Sequence, residues 1–275
     1  MTKYKLVWLA SYPKSGNTWV RSFFTALLKN EDFNINSLDF DELYANKTLL
    51  QKLVQRDIST FNDFELEALR RKFLNFYVQT RKAPYLQKIH DQFSYSVHDN
   101  LPVFHTQHPT AVIYIMRDPL DVTLSFSRYL GISPDEIIDR YICKSGSTIY
   151  MDNYFPRVIG TWEEHFYSWF NQAMLPVHFV KYEEMKLNPN KAFKEMINFL
   201  GLDFSDEAIA QAINKTDFNS LKKMETAHGF KEKLVPNVPF FHTGEVNQGK
   251  KKLTRNQIEK IYSINNKAAK KYDVI

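Results

Sequence analysis

Three basic side chains and one histidine are the clearest candidates for binding or catalysis, because each lies where an apolar run ends. Lys14 lies in the sequence YPKSGNTW at 12–19, Lys88 and His90 lie in LQKIH, and Arg117 lies in IMRDP. The first N–H groups of a helix lack intrahelical partners and carry partial positive charge, so a turn that leads into a helix attracts an anion. Lys14 adds a full charge to such a turn. These residues indicate phosphate-like ligands together with acid–base chemistry.

The turn at 12–19 differs from the common loop of nucleoside triphosphate enzymes. In that loop, G-x-x-x-x-G-K-[ST], the lysine follows the glycine, whereas here Lys14 precedes Gly16 and Trp19 follows the threonine. Pro13, Gly16 and Asn17 are ordinary turn residues, so a plain surface turn is the alternative. The apolar run before the turn and the helical periodicity after it favour an anion cradle.

A second cationic site is indicated in AVIYIMRDPLDVTLSFSRYLG at 111–131. An apolar strand ends at Arg117, and the helix that follows exposes Ser125 about two turns later, which is about 10 Å along its axis. Arg117 suits a second phosphate. Alternatively, it pairs with Asp118 or Asp121, or Asp118 binds magnesium as in an ATPase. Two anion sites at strand-to-helix junctions imply a nucleotide with phosphates at two separated positions.

These residues require a scaffold of alternating strands and helices. Apolar runs predict strands near 5–10, 85–88, 111–116 and 177–181. Periodic segments predict a largely helical stretch and three further helices: 39–81, 17–29, 189–202, and one from Asp118-Pro119 to about 129. The alternation predicts an α/β fold, a single domain over 1–275 whose central, mostly parallel sheet is flanked by helices. In such sheets ligands bind at the carboxyl ends of the strands, where Lys14, His90 and Arg117 would meet.

Composition restricts the class of protein. The 275 residues carry a net charge of +5 with an isoelectric point near 9.0, which alone would allow a nucleic-acid partner. The basic residues are spread along the chain except at 250–252, a cluster more typical of a solvated helix start, so no nucleic-acid partner is expected. Cys143 is the only cysteine, and neither a signal peptide nor a membrane-length apolar run is evident. A cytoplasmic protein with no membrane partner is expected.

Several ordered blocks resemble the cytosolic sulfotransferases that use 3′-phosphoadenosine 5′-phosphosulfate (PAPS) as sulfuryl donor. The blocks are YPKSGNTW at 12–19, KIH at 88–90, IMRDPLDVTLSFSRYLG at 115–131, HFVKYEEMKLNPNKAF at 178–193 and TDF at 216–218. They span most of the chain in the family's order. The resemblance implies a P-loop-like loop that binds phosphosulfate, PAPS as the donor and adenosine 3′,5′-bisphosphate (PAP) as the product.

The resemblance also implies roles for individual residues. The 5′-phosphosulfate would be bound by the cradle residues Lys14, Ser15, Gly16, Asn17, Thr18 and Trp19. Trp19 would in addition pack on the adenine. The 3′-phosphate would be bound by Arg117 and Ser125. The remaining adenine contacts would be Tyr182, Thr216 and Phe218.

The chemistry of sulfuryl transfer accounts for the same residues. An SO₃ group moves in line between two oxygens, so the protein has mainly to position the reactants and stabilise the leaving group, as in phosphoryl transfer. Lys14 would act beside the bridging oxygen. His90, with an ordinary pKa of about 6.5, would take the proton of the acceptor. Lys88, two residues earlier on an extended segment, would face the same side and bind the sulfonate. No metal is required, and no metal-binding motif is evident.

Two segments depart from the family pattern. Its F-x-R-K-G loop, whose Arg, Lys and Gly grip the 3′-phosphate, matches FFHTG here, so His242 and Thr243 replace the basic pair while Gly244 remains. Lower donor affinity is expected unless one of three lysines compensates: Lys231, Lys233 or Lys250. The family's dimer motif, K-x-x-x-T-V-x-x-x-E, has Arg255 in place of its valine. A monomer or weak homodimer is therefore expected.

The acceptor is the least defined part of the reaction. Its pocket is expected in the less regular segments, parts of 31–81, 91–108, 132–158 and 225–242, which mix aromatic and polar residues. Such a wall suits the hydroxyl or amine of a small molecule, such as a secondary metabolite; an oligosaccharide or a carrier-bound intermediate is the alternative. For the whole chain, the competing functions are a P-loop kinase or NTPase and a catalytically silent protein that binds nucleotide or nucleic acid.

Overall fold

A parallel four-stranded sheet forms the centre of the protein. The structure, a computed structural model, describes residues 2–29, 33–38 and 43–271. The strands are β1 (Leu6–Ser11), β2 (Tyr85–Ile89), β3 (Thr110–Met116) and β6 (Val177–Lys181). Their order is β2-β1-β3-β6, and every neighbouring pair is parallel. Two short strands, β4 (Thr148–Ile149) and β5 (Arg157–Val158), form a separate antiparallel pair.

Helices connect and cover the strands. They are α1 (Asn17–Lys29), α2 (Lys47–Val54), α3 (Asp63–Thr80), α4 (Pro119–Leu130), α5 (Pro134–Ile137), α6 (Trp162–Phe170), α7 (Tyr182–Leu187), α8 (Pro189–Leu200), α9 (Asp206–Lys215), α10 (Phe218–His228), α11 (Gln248–Lys252) and α12 (Arg255–Lys271). Short 3₁₀ turns lie at Ile35–Ser37, Leu43–Ala45 and Ile58–Thr60, and a π-helical turn lies at Ile138–Ile142.

Both faces of the two central strands, β1 and β3, are buried, which explains why these strands read as nearly continuous apolar runs. The even-numbered side chains of β1, such as Trp8, join one core cluster that includes Leu74 of α3 and Phe166 of α6. The odd-numbered side chains, such as Leu9, join a second cluster that includes Phe23 of α1 and Phe193 of α8. The sheet is therefore a middle layer between two layers of helices. This arrangement confirms the predicted α/β fold with a parallel sheet flanked by helices.

Local sequence signals set the helix boundaries near the expected positions. Asp118 accepts a hydrogen bond from the Leu120 backbone N–H, and Pro119 occupies the first turn of α4, as the Asp-Pro pair predicts. Gly201 ends α8 in the left-handed conformation. The stretch predicted as largely helical contains α2 and α3 as separate helices, and its residues 39–42 lie outside the described residues.

Candidate active site

The turn between β1 and α1 contains two residues in backbone conformations that side chains rarely adopt. Lys14 and Gly16 both have positive φ, 69° and 107°. A Cβ atom on Gly16 would lie 2.7 Å from Cδ2 of Tyr182, so a side chain at this position would collide with the first residue of α7. The turn therefore packs directly under Tyr182, which closes the cradle on one side.

Polar groups inside the turn suit an anion. The Asn17 side-chain amide donates to the Leu9 carbonyl at 2.8 Å and to the Ser11 hydroxyl at 3.2 Å, which fixes the start of α1 against β1. The buried Ser15 hydroxyl has no hydrogen-bond partner among the residues that the structure describes. A buried hydroxyl is costly without a partner, so a ligand oxygen at this helix start would satisfy it. This observation fits the phosphosulfate group of PAPS.

The Lys14 ammonium lies against two aromatic rings that meet edge to face. Its Nζ lies 3.9 Å from the ring centroid of Tyr129 and 3.6 Å from that of Phe240. Burial, assisted by the charges of Lys88 and Arg117, lowers the pKa of Lys14 well below its ordinary value, although Glu232 opposes the shift. A bound anion would raise this pKa again, because it would favour the charged form.

The His90 ring is held by the end of β1. Its Nδ1 lies 2.8 Å from the Ser11 carbonyl oxygen and 3.2 Å from the Ser11 hydroxyl. A carbonyl only accepts, so Nδ1 carries the proton and Nε2 carries the lone pair in the neutral ring. Burial and the neighbouring charge of Lys88 lower the pKa of His90 well below its ordinary value, despite the bond to Ser11. The imidazole is therefore neutral at neutral pH, as a general base requires.

Helix α6 holds the backbone around His90, a role that the sequence analysis did not predict. His165 Nε2 donates to the His90 carbonyl at 3.0 Å, and Tyr114 donates its hydroxyl to His165 Nδ1 at 2.9 Å. Trp169 Nε1 donates to the Asp91 carbonyl at 3.1 Å. Burial lowers the pKa of His165 to about 3, so His165 stays neutral and keeps this bonding pattern. The position of His90 is thus set from two sides, by β1 and by α6.

Arg117 joins the cradle to the C-terminal part of the chain. Its guanidinium donates to the carbonyl oxygens of Lys14 at 3.4 Å and Glu245 at 3.0 Å, and lies 4.2 Å from the ring centroid of Tyr182. Asp121 lies 3.8 Å away, so the ion pair considered as an alternative is present. Asp118 instead caps α4 and does not line the cavity; burial raises its pKa to about 7.

One cavity of about 560 Å³ unites most of the predicted residues. Its lining includes Lys14, Gly16, Asn17, Thr18, Trp19, Lys88, His90, Arg117, Ser125, Tyr182, Phe218, His242, Thr243 and Gly244. Ser15 and Thr216 are not part of this lining. The buried Thr216 donates its hydroxyl to the Ala212 carbonyl at 2.7 Å at the end of α9. Lys231 and Lys233 reach the cavity, whereas Lys250 does not.

The residues between α10 and α11, 229–247, cover the cavity and are called the closing segment below. A Cβ atom on Gly244 would lie 2.2 Å from the Phe218 ring, and the Tyr182 hydroxyl donates to the Gly244 carbonyl at 3.1 Å. Gly244 therefore brings two predicted adenine contacts together. The Glu225 carboxylate anchors the segment by accepting from the backbone N–H groups of Phe240 at 2.6 Å and Phe241 at 2.9 Å.

Five charged residues of the lining were missed from the sequence: Arg21, Arg128, Arg157, Lys186 and Glu232. Arg21, Arg128 and Lys186 each lie one helical turn beyond a residue that had been identified, at 18, 125 and 182. Such spacings place side chains on the same helix face, so this signal was available. Glu232 lies in the irregular closing segment, where no periodicity identifies it.

Of the expected acceptor segments, two contribute to the lining. Residues 132–158 supply Tyr141, Ile149, Tyr150, Met151, Tyr154 and Arg157, and the closing segment supplies Leu234, Val235 and Val238. No residue of 91–108 and no described residue of 31–81 lines the cavity. Within 91–108, Phe104 stacks on Trp169 of α6.

The described residues, 2–29, 33–38 and 43–271, include no cluster of acidic, His and Cys side chains that could hold a metal ion. They also include no helix long and apolar enough to cross a membrane.

Known proteins resemble this chain in sequence. The family described as "Sulfotransferase domain" matches residues 5–273. Sulfotransferase 1B1 of Canis lupus familiaris is 25% identical over 223 residues, which are 78% of this chain and 65% of that protein. Cytosolic sulfotransferase 14 of Arabidopsis thaliana is 24% identical over 272 residues, 93% of this chain and 72% of that protein. The match to the dog protein thus spans slightly less than two thirds of its length.

Two solved structures share the fold. Mouse sulfotransferase SULT7A1 complexed with PAP gives a TM-score of 0.59 with 21% identity, covering 98% of this chain and 86% of that one. Retinol dehydratase, in complex with androsterone and inactive cofactor PAP, gives a TM-score of 0.61 with 16% identity, covering 98% of this chain and 82% of that one.

Proposed function

The chain belongs to the sulfotransferase family, and from that premise we propose that it transfers the sulfuryl group of PAPS to a hydroxyl or amine of a small-molecule acceptor. One observation carries the proposal. Lys14, His90 and Arg117, from three distant segments of the sequence, line a single cavity at the carboxyl ends of parallel strands. The same cavity has room for a nucleotide and a small acceptor.

For the donor, the cradle at 14–19 would hold the 5′-phosphosulfate, and Arg117 with Ser125 would hold the 3′-phosphate. Trp19, Tyr182 and Phe218 would surround the adenine; the first two already stand edge to face, with ring centroids 5.9 Å apart. Thr216, whose hydroxyl bonds within α9, would act by fixing the chain just before Phe218. His242, Thr243 and Gly244 would cover the 3′-phosphate, with Gly244 offering its backbone N–H.

The donor supplies the sulfuryl group and a phosphate leaving group. Lys14 would stabilise the charge that develops on the bridging oxygen as the bond between sulfur and that oxygen breaks. His90 Nε2 would accept the proton of the acceptor group as its oxygen or nitrogen bonds to sulfur. Lys88 would hold the sulfonate oxygens in line. His165 and Trp169 would keep His90 in place through the backbone.

The acceptor end of the cavity favours a small molecule. Its wall is built from tyrosines, a methionine and aliphatic side chains, with the buried Arg157 guanidinium 4.6 Å from the Tyr154 ring centroid. Retinol and androsterone appear with a structural relative, which supports small acceptors as a class.

A monomer or weak homodimer follows from the altered dimer motif. Arg255, which replaces the family's valine, pairs with Glu259 of the same helix at 2.7 Å. A cytoplasmic location is proposed from the relatives named cytosolic sulfotransferases.

A thermal-shift panel tests the function against its two competitors. PAP should raise the Tm strongly, whereas ATP with magnesium and an oligonucleotide should not, because a ligand stabilises by RT ln(1 + [L]/Kd). A larger shift with ATP and magnesium would favour a kinase, and one with the oligonucleotide would favour a nucleic-acid binder. Incubation with PAPS and a panel of phenols, alcohols and amines, read by mass spectrometry for sulfated product, then tests transfer. PAP binding without any sulfated product would favour a silent protein.

Arg128 is expected to replace the missing basic pair at the 3′-phosphate. It lies one turn beyond Ser125 on α4, lines the cavity, and its pKa is lowered by burial and by the charge of Arg117. Two neighbouring guanidinium groups favour a dianion between them. Arg128→Ala should weaken PAP binding by about tenfold or more, and leave binding of adenosine 5′-phosphate within about twofold. Isothermal titration with both nucleotides measures this difference.

The matched control is Arg140→Ala. It removes an exposed arginine that pairs with Glu136 and does not line the cavity, so it should change neither affinity. Equal losses for both nucleotides in Arg128→Ala would place Arg128 away from the 3′-phosphate.

Restoring the family's basic pair provides a second measurement. His242→Arg with Thr243→Lys should tighten PAP binding by about tenfold in the Arg128→Ala background, and the gain should shrink at high salt. Unchanged affinity in that background would show that 242–243 does not approach the 3′-phosphate.

A further inference from the structure

A buried ion pair links the closing segment to the anion cradle. Arg21, on α1, is almost fully buried, and its Nη2 donates to both carboxylate oxygens of Glu232, at 2.8 and 2.7 Å. The same Nη2 lies 3.2 Å from the Thr18 hydroxyl. Thr18 belongs to the cradle, so the Arg21 side chain alone separates the Glu232 carboxylate from the proposed phosphosulfate site.

A second cation faces the same carboxylate. Lys88 Nζ lies 3.9 Å from the Glu232 oxygen that Arg21 contacts at 2.7 Å. Burial alone would raise the pKa of Glu232, but the charges of Arg21 and Lys88 outweigh it and lower this pKa to about 2; Lys14 acts in the same direction. Glu232 is thus an ionised carboxylate that faces the Arg21 guanidinium and the Lys88 ammonium, and the proposed function assigns Lys88 to the sulfuryl group.

We propose that Arg21 forms part of the site of the transferring sulfuryl group, and that the Glu232 carboxylate occupies this anion position until the donor binds. The inference rests on the proposed function. A carboxylate and a sulfonate both present oxygen acceptors to a guanidinium and an ammonium, so one can replace the other on the same cations. The buried Arg21 guanidinium and the partly buried Lys88 ammonium would be unfavourable without a counter-ion, which explains why an acidic residue lies here.

Competition between the two anions has a consequence for ligand choice. PAPS carries the sulfonate and must displace Glu232, whereas PAP ends at the 5′-phosphate and leaves Glu232 on Arg21. The Glu232 carboxylate therefore weakens the binding of PAPS more than the binding of PAP. Arg21, in contrast, strengthens the binding of PAPS and leaves that of PAP unchanged.

The test compares PAPS with PAP in the full-length protein, without acceptor, by isothermal titration. Glu232→Gln should tighten PAPS binding by about tenfold and change PAP binding by less than about twofold, because a like charge near the sulfonate is removed. Arg21→Met should weaken PAPS binding by about tenfold and again spare PAP. Glu195→Gln, which removes an exposed carboxylate on α8, is the control and should alter neither affinity.

Inorganic sulfate provides a readout that does not depend on the nucleotide. It should raise the Tm of Glu232→Gln more than that of the parent protein, because sulfate can take the vacated anion position. This extra gain should vanish in Arg21→Met with Glu232→Gln. The comparison also holds if Glu232→Gln is less stable, since each protein is measured against itself without sulfate.

Equal changes in PAPS and PAP affinity, or an extra sulfate gain that persists without Arg21, would overturn the inference. Failure of PAP to bind the parent protein would instead overturn the proposed function.

Discussion

Replacement of His90 by alanine is expected to lower the turnover number by about 10²-fold or more, while PAP affinity stays within about threefold. The ring is fixed by its Nδ1 bond to the Ser11 carbonyl, so its Nε2 is the atom that receives the acceptor's proton. Steady-state kinetics of sulfate transfer and titration with PAP measure the two quantities. A variant with near-normal turnover would remove His90 from the mechanism.

The pH profile provides an independent check. A base works only when unprotonated, and burial with the charge of Lys88 lowers the pKa of His90. The kcat/KM of the parent enzyme should therefore hold its plateau as pH falls through 6.5, the usual value for histidine, and decline only at lower pH. This acid limb should disappear in His90→Ala. The matched control, His228→Ala, removes an exposed histidine at the end of α10 and should keep both the rate and the limb.

Replacement of Lys14 by methionine is expected to lower the turnover number by about 10²–10³-fold, which is typical for loss of one donor to a developing charge. Methionine retains much of the apolar stem that carries the ammonium to Tyr129 and Phe240, so the change isolates the ammonium. Single-turnover measurement of sulfate transfer separates this chemical step from donor binding. Lys267→Met, an exposed lysine on α12, is the control.

Lys14 should also report donor binding through protons. Its pKa is lowered in the unliganded protein, mainly by burial, and an anionic ligand raises it. PAP binding should therefore take up protons at pH values between the pKa of Lys14 in the free protein and its higher pKa in the complex, seen as a dependence of the calorimetric enthalpy on the ionisation enthalpy of the buffer. The uptake should be lost in Lys14→Met. A turnover of Lys14→Met within about threefold of the parent would exclude Lys14 from leaving-group stabilisation.

The parts of the fold that sequence predicted are those with local causes. The two central strands, β1 and β3, are apolar runs, and α4 begins at an Asp-Pro pair that both caps and initiates a helix. The β4–β5 pair has two residues per strand, too few for a periodic pattern to be visible. The site residues at strand ends were predicted for the same local reason, since parallel topology brings those ends together.

The missed residues depend on tertiary packing. His165 resembles a satisfied core histidine on an apolar helix, and only its 3.0 Å bond to the His90 carbonyl links it to the site. Arg21 shares a helix face with Thr18, but its charge on the buried side of α1 is explained only by Glu232, which lies 211 residues away in the sequence. The acceptor segments could be expected only as irregular regions, because nothing local distinguishes a loop that lines a cavity from one that packs behind it.

The anchoring of the closing segment determines which of its residues can change in sequence without moving the rest of the site. Asn36 accepts from the Lys231 backbone N–H at 2.9 Å, Glu225 holds 240–241, and the Gly249 N–H donates to Asp121 at 2.6 Å. A Cβ atom on Gly249 would lie 2.4 Å from the Leu120 backbone carbon, which fixes this end against α4. Residues 234–239 lie between the first two of these anchors, so they can change in sequence while 242–244 and the sheet stay in place. We expect exchange of this stretch between relatives to alter acceptor preference without altering the donor contacts.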